Sequence, residues 1–333
     1  MDKMKFTQAV SRIWVLEKRL LDKAKIDRMI EAVSAEEVLK ILNETEYSNV
    51  LVNIKRPEDY EEMLSSELSR IYNLVYELSP VKDVVKIFSL KYDYHNIKVL
   101  LKEKVLNQDL SHMLINLGEL DLKEIKNKIN GDNYKSLSGN IGKGVIEALE
   151  SFNQTKDPQK IDIIIDKYMF KELLEINNSL KYEFIDNLVK AIIDSTNIRT
   201  LLRLKKQNKN RDFAAEVIFD GGAIEKNKLI SLLNETPENI MSKLKTTIYS
   251  DLIEEGFEGY IETNSAGLLE KLSDNYIMEL VKKSKLVTFG PEKILSYIYA
   301  KETEIKVIRI IMVAKLNNIA KEVLRERLRD IYV

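Results

Sequence analysis

Apolar residues recur three and four positions apart over most of this chain, which is the spacing of amphipathic helices. The pattern is clear at Ile13, Leu16 and Leu20, and again through the long segment from Ile294 to Leu316. No stretch alternates between apolar and polar residues for long enough to predict a strand. The pattern therefore predicts an all-α protein.

Helix-start signals support this prediction. Ser34 and Glu37 have the spacing of a capping box. Each of the five prolines is predicted at the first position of a helix, where its missing N–H costs nothing. Two glycine-containing segments interrupt the pattern, and we predict a mobile loop at 131–144 and a shorter break at 256–267. The prolines are Pro57, Pro80, Pro158, Pro237 and Pro291.

One helical phrase occurs three times, with its central isoleucines spaced 101 and 107 residues apart at Ile97, Ile198 and Ile305. Two weaker echoes pair 118–125 with 222–229, and 166–168 with 274–276. This period is too long for a solenoid, whose repeats span roughly 20 to 50 residues. It predicts three similar helical modules, with boundaries near 107–117 and 220–222. The predicted modules are 1–110, 111–221 and 222–333.

Composition and charge narrow the possible functions. The 333 residues include 52 basic and 53 acidic side chains, so the net charge of −1 argues against a nucleic-acid partner. No polybasic cluster is long enough to hold the chain on an acidic membrane by itself. The chain has no cysteine, which excludes disulfides and thiolate metal sites. Without a signal peptide or an apolar run of ~20 residues, the chain is expected to be soluble and intracellular.

The candidate chemistry is sparse. The segment 138–144 resembles a phosphate loop but lacks the first glycine and the Ser or Thr that a Walker A motif requires. Asp93 and His95 are two residues apart, so they point apart on a helix and cannot share a metal. We therefore predict no catalytic residue, no metal site and no cofactor. The single tryptophan, Trp14, is predicted to anchor a core, with an interface position as the alternative.

The segment 88–102 resembles the signature of the C subunits of V-type and A-type ATPases and ATP synthases, whose eukaryotic counterpart is the d subunit of V-ATPases. The segments 157–168 and 289–333 are similar to the middle and the ending of the same family. The resemblance therefore covers all three predicted modules. The sequence departs locally at Thr303 and at Asn317 and Asn318, where smaller residues or glycine are typical of the family.

The resemblance implies three similar helical domains arranged as a funnel, in a non-catalytic rotor component. Such a component rests on the cytoplasmic face of the membrane proteolipid (c/K) ring and receives the foot of the central stalk, which consists of the D and F subunits. It would be peripheral to the membrane through the ring, and would couple ATP hydrolysis or ATP synthesis to ion transport. Whether the ion is a proton or sodium, and in which direction the complex works, stays open.

The residues carried over from the family are predicted to fix a helix junction or to form an interface. Lys98, Arg199 and Lys306 hold equivalent places in the three phrases, and either line a common funnel wall or lie on a solvated face. Two other functions remain possible: a generic helical protein-binding scaffold, and an all-α enzyme with a site in the loop at 131–144. The family-signature residues are Lys91, Tyr92, Asp93, His95, Asn96, Lys98, Arg199, Lys306 and Arg309.

Overall fold

The computed structural model describes residues 1–52 and 54–333, and 76% of the protein is helical, with no strand among these residues. The predicted all-α class is confirmed. The α-helices are α1 (Thr7–Glu17), α2 (Lys23–Glu31), α3 (Ala35–Leu42), α4 (Ser48–Leu51), α5 (Tyr60–Leu78), α6 (Lys82–Leu106), α7 (Leu122–Asn130), α8 (Gly139–Thr155), α9 (Gln159–Leu180), α10 (Glu183–Lys206), α11 (Arg211–Val217), α12 (Lys226–Ser231), α13 (Pro237–Leu244), α14 (Ser250–Thr263), α15 (Gly267–Lys282), α16 (Glu292–Leu316) and α17 (Lys321–Arg327).

Contacts group the chain into two compact units. One contains Met1 and Lys86–Asn234, and the other contains Asp2–Val85 and Glu235–Val333. The division into modules at 1–110, 111–221 and 222–333 stays a prediction.

The unit built from Lys86–Asn234 contains most of the long helix α6 and all of α10. The hairpin of α8 and α9 packs through α9 onto α10, and the short helices α11 and α12 also pack onto α10. Ile97 on α6 and Ile198 on α10, the centres of the first two repeated phrases, are both buried. The apolar spacing seen in the sequence therefore faces the interior of this unit.

The other unit has α16 at its centre. This helix packs against α1, α3, α5, α15 and α17, and is buried on nearly all sides. The core shared by these helices combines residues from both ends of the chain, including Met29, Leu42, Ile308 and Met312. The residues before position 86 therefore pack on the last hundred residues as well as on their neighbours in sequence.

The glycine-containing segments differ from the prediction. Gly139, Gly142 and Gly144 lie in the first turns of α8, so the prediction of a mobile loop across 131–144 is wrong for these residues. A β-carbon at Gly142 would come within 2.0 Å of the Leu137 carbonyl oxygen. Gly142, and Gly144 beside the ring of Tyr168, therefore serve close packing, whereas Gly139 provides the positive φ at the helix start.

The predicted break at 256–267 is likewise wrong for its first part. Gly256 and Gly259 are buried inside α14, where β-carbons would lie 2.5 and 2.6 Å from side-chain atoms of Leu269 and Leu268. The absence of side chains at these positions lets α14 approach α15 closely, as in other helix pairs that cross through small residues.

Helix starts agree with the sequence only in part. Thr236 caps α13, whose first residue is Pro237, as predicted. Pro57 opens a 3₁₀ turn, whereas Pro158 and Pro291 stand one residue before their helices, and Pro80 stands two before α6. In the predicted capping box, the Ser34 hydroxyl accepts a bond from the Glu37 N–H, and the Glu37 carboxylate accepts one from the N–H of Val33 at 2.6 Å.

Candidate functional site

The signature helix α6 holds the chain segment that follows it through two buried side chains. The carboxylate of Asp93 accepts hydrogen bonds from the backbone N–H groups of Glu119 (3.1 Å) and Leu120 (3.0 Å). The amide of Asn96 donates to the carbonyl of Ile115 at 2.7 Å and accepts from its N–H at 2.8 Å. We call two such side chains and the segment that they hold a clasp. It satisfies four backbone groups that no helix would satisfy.

A glycine makes the first clasp possible. A β-carbon at Gly118 would lie only 1.8 Å from Oδ1 of Asp93. Only glycine therefore lets the backbone come close enough for the Asp93 carboxylate to accept bonds from the next two N–H groups.

The same clasp recurs on α10. The carboxylate of Asp194 accepts bonds from the N–H groups of Ala223 (2.7 Å) and Ile224 (3.2 Å), and Asn197 exchanges two bonds with the backbone of Phe219. A β-carbon at Gly222 would lie 2.0 Å from Oδ1 of Asp194. The side chains of Asp194 and Asn197 are fully buried. The repeat seen in the sequence therefore corresponds to a repeated tertiary contact.

On α16 the two clasp positions carry Lys301 and Glu304, and the segment that is held comes from the start of the chain. One carboxylate oxygen of Glu304 accepts a bond from the N–H of Leu21 at 2.6 Å, and the other accepts one from the hydroxyl of Tyr47 at 2.9 Å. Each of the three held segments leads directly into a short helix, α7, α12 or α2, through an acidic N-cap residue: Asp121, Glu225 or Asp22.

On α16 a network of buried charged side chains takes the place of the Asp and Asn side chains of the first two clasps. The ammonium of Lys301, which is fully buried, lies 2.8 Å from Glu304 and 3.1 Å from Glu67. Glu67 is itself held by the guanidinium of Arg70 at 2.8 Å. Although burial opposes the charged form of Lys301, the carboxylates of Glu304 and Glu67 raise its pKa above the ordinary value. Lys301 therefore stays protonated, and its ion pair with Glu67 joins α5 to α16.

The three equivalent basic residues lie in two different environments. Lys98 pairs with Asp166 on α9 at 2.7 Å, and Lys306 pairs with Asp274 on α15. These two aspartates are the residues that the echo between 166–168 and 274–276 brought together. Arg199 instead donates to the carbonyl of Ser195 on its own helix at 3.0 Å.

The remaining signature residues are spread over exposed and half-buried positions. Arg309 makes a bidentate pair with Glu61 at 2.6 and 2.9 Å, and Lys91 lies over the ring of Tyr92 at 5.0 Å from its centroid. His95 lies in the middle of α6, and its Nε2 is 3.0 Å from the carbonyl oxygen of Met113. Together with the clasp bonds, this contact brings Asp93, His95 and Asn96 onto one held segment.

Protonation chemistry at the first clasp is governed by burial. Burial raises the pKa of Asp93, although the N–H bonds from Leu120 and Glu119 oppose that shift.

No group of three or more His, Asp or Glu side chains able to hold a metal occurs in residues 1–52 and 54–333. None of the helices in the described part of the chain has both the length and the apolar character of a membrane span.

A cleft of about 720 Å³ lies beside α9 in the unit built from Lys86–Asn234, with Phe170 and Phe219 among its lining residues. Their rings stack with centroids 4.1 Å apart. Two lysines on its wall already pair with acids within the chain, Lys160 with Glu216 and Lys167 with Glu147. These pairs partly balance the charge of the cleft internally.

The position of Trp14 differs from the core position predicted from the sequence. Its side chain is 50% exposed on α1, so it is not a core anchor. The aliphatic residues around it, such as Ile13 and Leu16, fill the interior in its place.

Sequence reasoning missed Asp194, Lys301 and the acids around Lys301. One signal was available for Asp194, because it follows Asp93 by 101 residues, as Ile198 follows Ile97. No comparable signal existed for Glu67 or Tyr47, because their partners on α16 lie more than 200 residues away in sequence.

Long buried helices, each clasping a following or distant segment, define this chain as an all-α protein built from repeated helical segments. Residues 9–327 match the family model described as ATP synthase (C/AC39) subunit. The chain belongs to this family, the C subunits of V-type and A-type ATPases. The family membership predicted from the signature segment is confirmed.

Two relatives illustrate the match. The chain is 30% identical to the C subunit of the V-type sodium ATPase of Enterococcus hirae over 318 residues, which covers 95% of each chain. It is 28% identical to the C subunit of the A-type ATP synthase of Methanocaldococcus jannaschii, over 96% of this chain and 84% of the relative.

Proposed function

We propose that this protein is a non-catalytic rotor component of a V-type or A-type ATPase, and that it couples the central stalk, made of the D and F subunits, to the membrane proteolipid ring. The observation that carries the proposal is the family match across residues 9–327. In this proposal the protein lies on the cytoplasmic face of the membrane and transmits rotation for ATP-driven ion transport or for ATP synthesis. It carries out no chemistry itself.

The clasps support a mechanical role. A part that transmits torque must resist bending at the connections between its helices, and such connections are usually the most mobile parts of a fold. Here Asp93 and Asn96 bind the connection after α6, and Asp194 and Asn197 bind the connection after α10. Buried hydrogen bonds of this kind stiffen segments that would otherwise flex.

The contact between the two ends of the chain supports the proposed repeat of three similar modules. Glu304 on α16 holds Leu21 as Asp93 holds Leu120, so the last long helix clasps the first segment of the chain. The arrangement as a funnel, with the module boundaries given above, is part of this proposal.

Reconstitution tests the role directly. The purified chain is mixed with its cognate D and F subunits and with detergent-solubilised proteolipid ring, and the assembled masses are measured by native mass spectrometry. We expect one copy of the chain to bridge the stalk and the ring. In vesicles that carry the whole complex, omission of the chain should leave ATP hydrolysis but abolish ATP-driven ion uptake, and addition of the chain should restore uptake.

The same experiment separates the alternatives. If the folded chain binds neither partner, the generic scaffold function gains support and the coupling role is lost. If it binds both partners but its omission leaves ion uptake unchanged, the chain is an accessory part rather than the coupling element. Circular dichroism of the purified chain verifies that it is folded in every case.

A further inference from the structure

An exposed group of apolar and basic side chains surrounds the start of α16. We call it the basic-apolar patch and define it by Trp14 on α1, by Lys18 just after this helix, and by Lys283, Lys285, Leu286 and Phe289 in the segment before α16. Leu286 is 92% exposed, Trp14 50% and Phe289 38%. Two large apolar side chains exposed within four residues of the chain, and a third beside Lys293 at the start of α16, indicate a surface that something covers.

Contacts link the two parts of the basic-apolar patch. The ammonium of Lys293 lies 5.7 Å from the centroid of the Trp14 ring and 3.0 Å from the carboxylate of Glu17. Glu17 also accepts a bond from the hydroxyl of Tyr332 at 2.8 Å, and Lys285 lies over the Tyr332 ring at 4.8 Å. Trp14 on α1 and the segment 283–289 are therefore anchored to the same small group of residues.

The charge of the basic-apolar patch is positive and uncompensated. Lys18, Lys283 and Lys285 are exposed, and none of them forms an ion pair within residues 1–52 and 54–333. Glu17 is occupied by Lys293 and Tyr332, and Glu279 is occupied by Lys282. The net charge of the whole chain is only −1, so this is a local concentration of basic groups and not a general property of the surface.

We propose that the basic-apolar patch binds the surface of a membrane that contains anionic phospholipids, with Leu286 and Phe289 entering the interface and the lysines facing the headgroups. Exposed leucine and phenylalanine beside lysine, with an indole close by, is the combination that favours the boundary between headgroups and acyl chains. This inference goes beyond the coupling role, because it requires only the isolated chain and lipid.

Neither the basic nor the apolar side chains of the patch are sufficient by themselves for stable membrane binding. The three lysines of the patch, Lys18, Lys283 and Lys285, fall short of the roughly four to eight that hold a protein on an anionic membrane by charge. A single exposed leucine contributes too little apolar area for stable insertion. We therefore expect weak, salt-sensitive binding that depends on both the apolar and the basic side chains.

Vesicle flotation tests this inference with the full chain. Vesicles of phosphatidylcholine, with or without about one third phosphatidylglycerol, are mixed with the chain at low ionic strength. We expect binding to the anionic vesicles alone and its loss as salt shortens the range of electrostatic attraction. Leu286→Asp and Lys283→Glu should each weaken binding by about tenfold or more.

Matched variants control for exposure and charge. Val33→Asp places the same charge at a valine that is 90% exposed but outside the basic-apolar patch, and Lys40→Glu reverses an exposed lysine on α3. Both should bind vesicles as the unmodified chain does. The inference fails if the unmodified chain does not float with anionic vesicles, or if the patch variants and their controls weaken binding equally. It also fails if Leu286→Asp abolishes binding to the proteolipid ring in detergent while vesicle binding is unchanged, because the patch would then recognise protein.

Discussion

The carboxylate of Asp93 and the backbone of Gly118 are so close that a β-carbon on Gly118 would lie 1.8 Å from Oδ1. The pair Asp194 and Gly222 repeats this relationship at 2.0 Å. In both pairs the carboxylate then accepts bonds from the N–H groups of the next two residues. The connection after each helix is thereby fixed by one acidic residue and one glycine.

Replacement of either glycine by alanine should destabilise the protein. Gly118→Ala and Gly222→Ala force the aspartate out of its position, and overpacking of this kind costs about 1–3 kcal/mol in the free energy of unfolding. Urea unfolding followed by circular dichroism measures the change. Gly267→Ala serves as the control, because a β-carbon there would meet only Ser265 Oγ at 3.4 Å. Equal stability of all three variants would contradict the packing argument.

Loss of the clasp amides should weaken the two connections to a similar extent. Asn96→Ala and Asn197→Ala each leave one backbone N–H and one C=O without their partner, at a cost of about 1–3 kcal/mol. Hydrogen exchange should become faster at the amide of Ile115 in the first variant and at that of Phe219 in the second. Asn239→Ala, on the exposed side of α13, provides a control in which neither amide changes.

Removal of the buried Lys301 ammonium should destabilise the protein more than removal of an exposed charged group does. Lys301→Met removes the cation between Glu67 and Glu304 and leaves Arg70 as the partner of Glu67 alone, and the loss of one partner of a buried pair typically costs about 3–5 kcal/mol. Thermal and urea unfolding measure the difference. Lys321→Met breaks the exposed pair with Glu31 and should have a much smaller effect. If the two variants unfold alike, the buried network contributes little to stability.

The ionisation of Asp93 predicts a specific pH dependence. Its folded pKa lies above the ordinary value of 3.8, because burial disfavours the charged form. The folded state therefore binds this proton more tightly than the unfolded state. The resulting stability is fully present below pH 3.8 and is lost as the pH rises through the folded pKa.

Asp93→Asn isolates this effect. The amide cannot titrate, so the stability of the variant relative to the unmodified protein should increase as the pH is raised from about 4 towards neutrality. Free energies of unfolding at several pH values measure the difference. A difference that stays constant with pH would mean that Asp93 has the same pKa in both states. A difference of the opposite sign would mean that the two N–H bonds outweigh burial.

The helical class and the repeat could be predicted from local pattern. Spacings of three and four predict helices because each helix must bury one apolar face, and the phrases centred on Ile97, Ile198 and Ile305 recur because similar helices need similar faces. The roles of two glycines were predicted wrongly, because the prediction used the local pattern alone. Gly142 and Gly256 look like chain breaks locally, yet their small size serves contacts with Leu137 and Leu269, which no local pattern reveals.

The sequence predicted which residues belong to the candidate site, but not which groups they contact. The family signature identified Asp93, His95 and Asn96, but the sequence did not predict that all three hold the segment from Met113 to Leu120. Lys98 and Lys306 were recognised as equivalent bases, whereas their aspartate partners became evident only from the packing of α9 and α15.

The all-α class, the three recurring phrases and the family could be read from the sequence alone, because each of these is written in short-range spacing or in contiguous motifs. The attachment of the start of the chain to α16 through Leu21 and Glu304, and the burial of Lys301 between two carboxylates, became evident only from the folded chain. Hydrogen bonds and ion pairs depend on distances of about 3 Å. Chain folding sets such distances between residues hundreds of positions apart, and no spacing along the sequence encodes them.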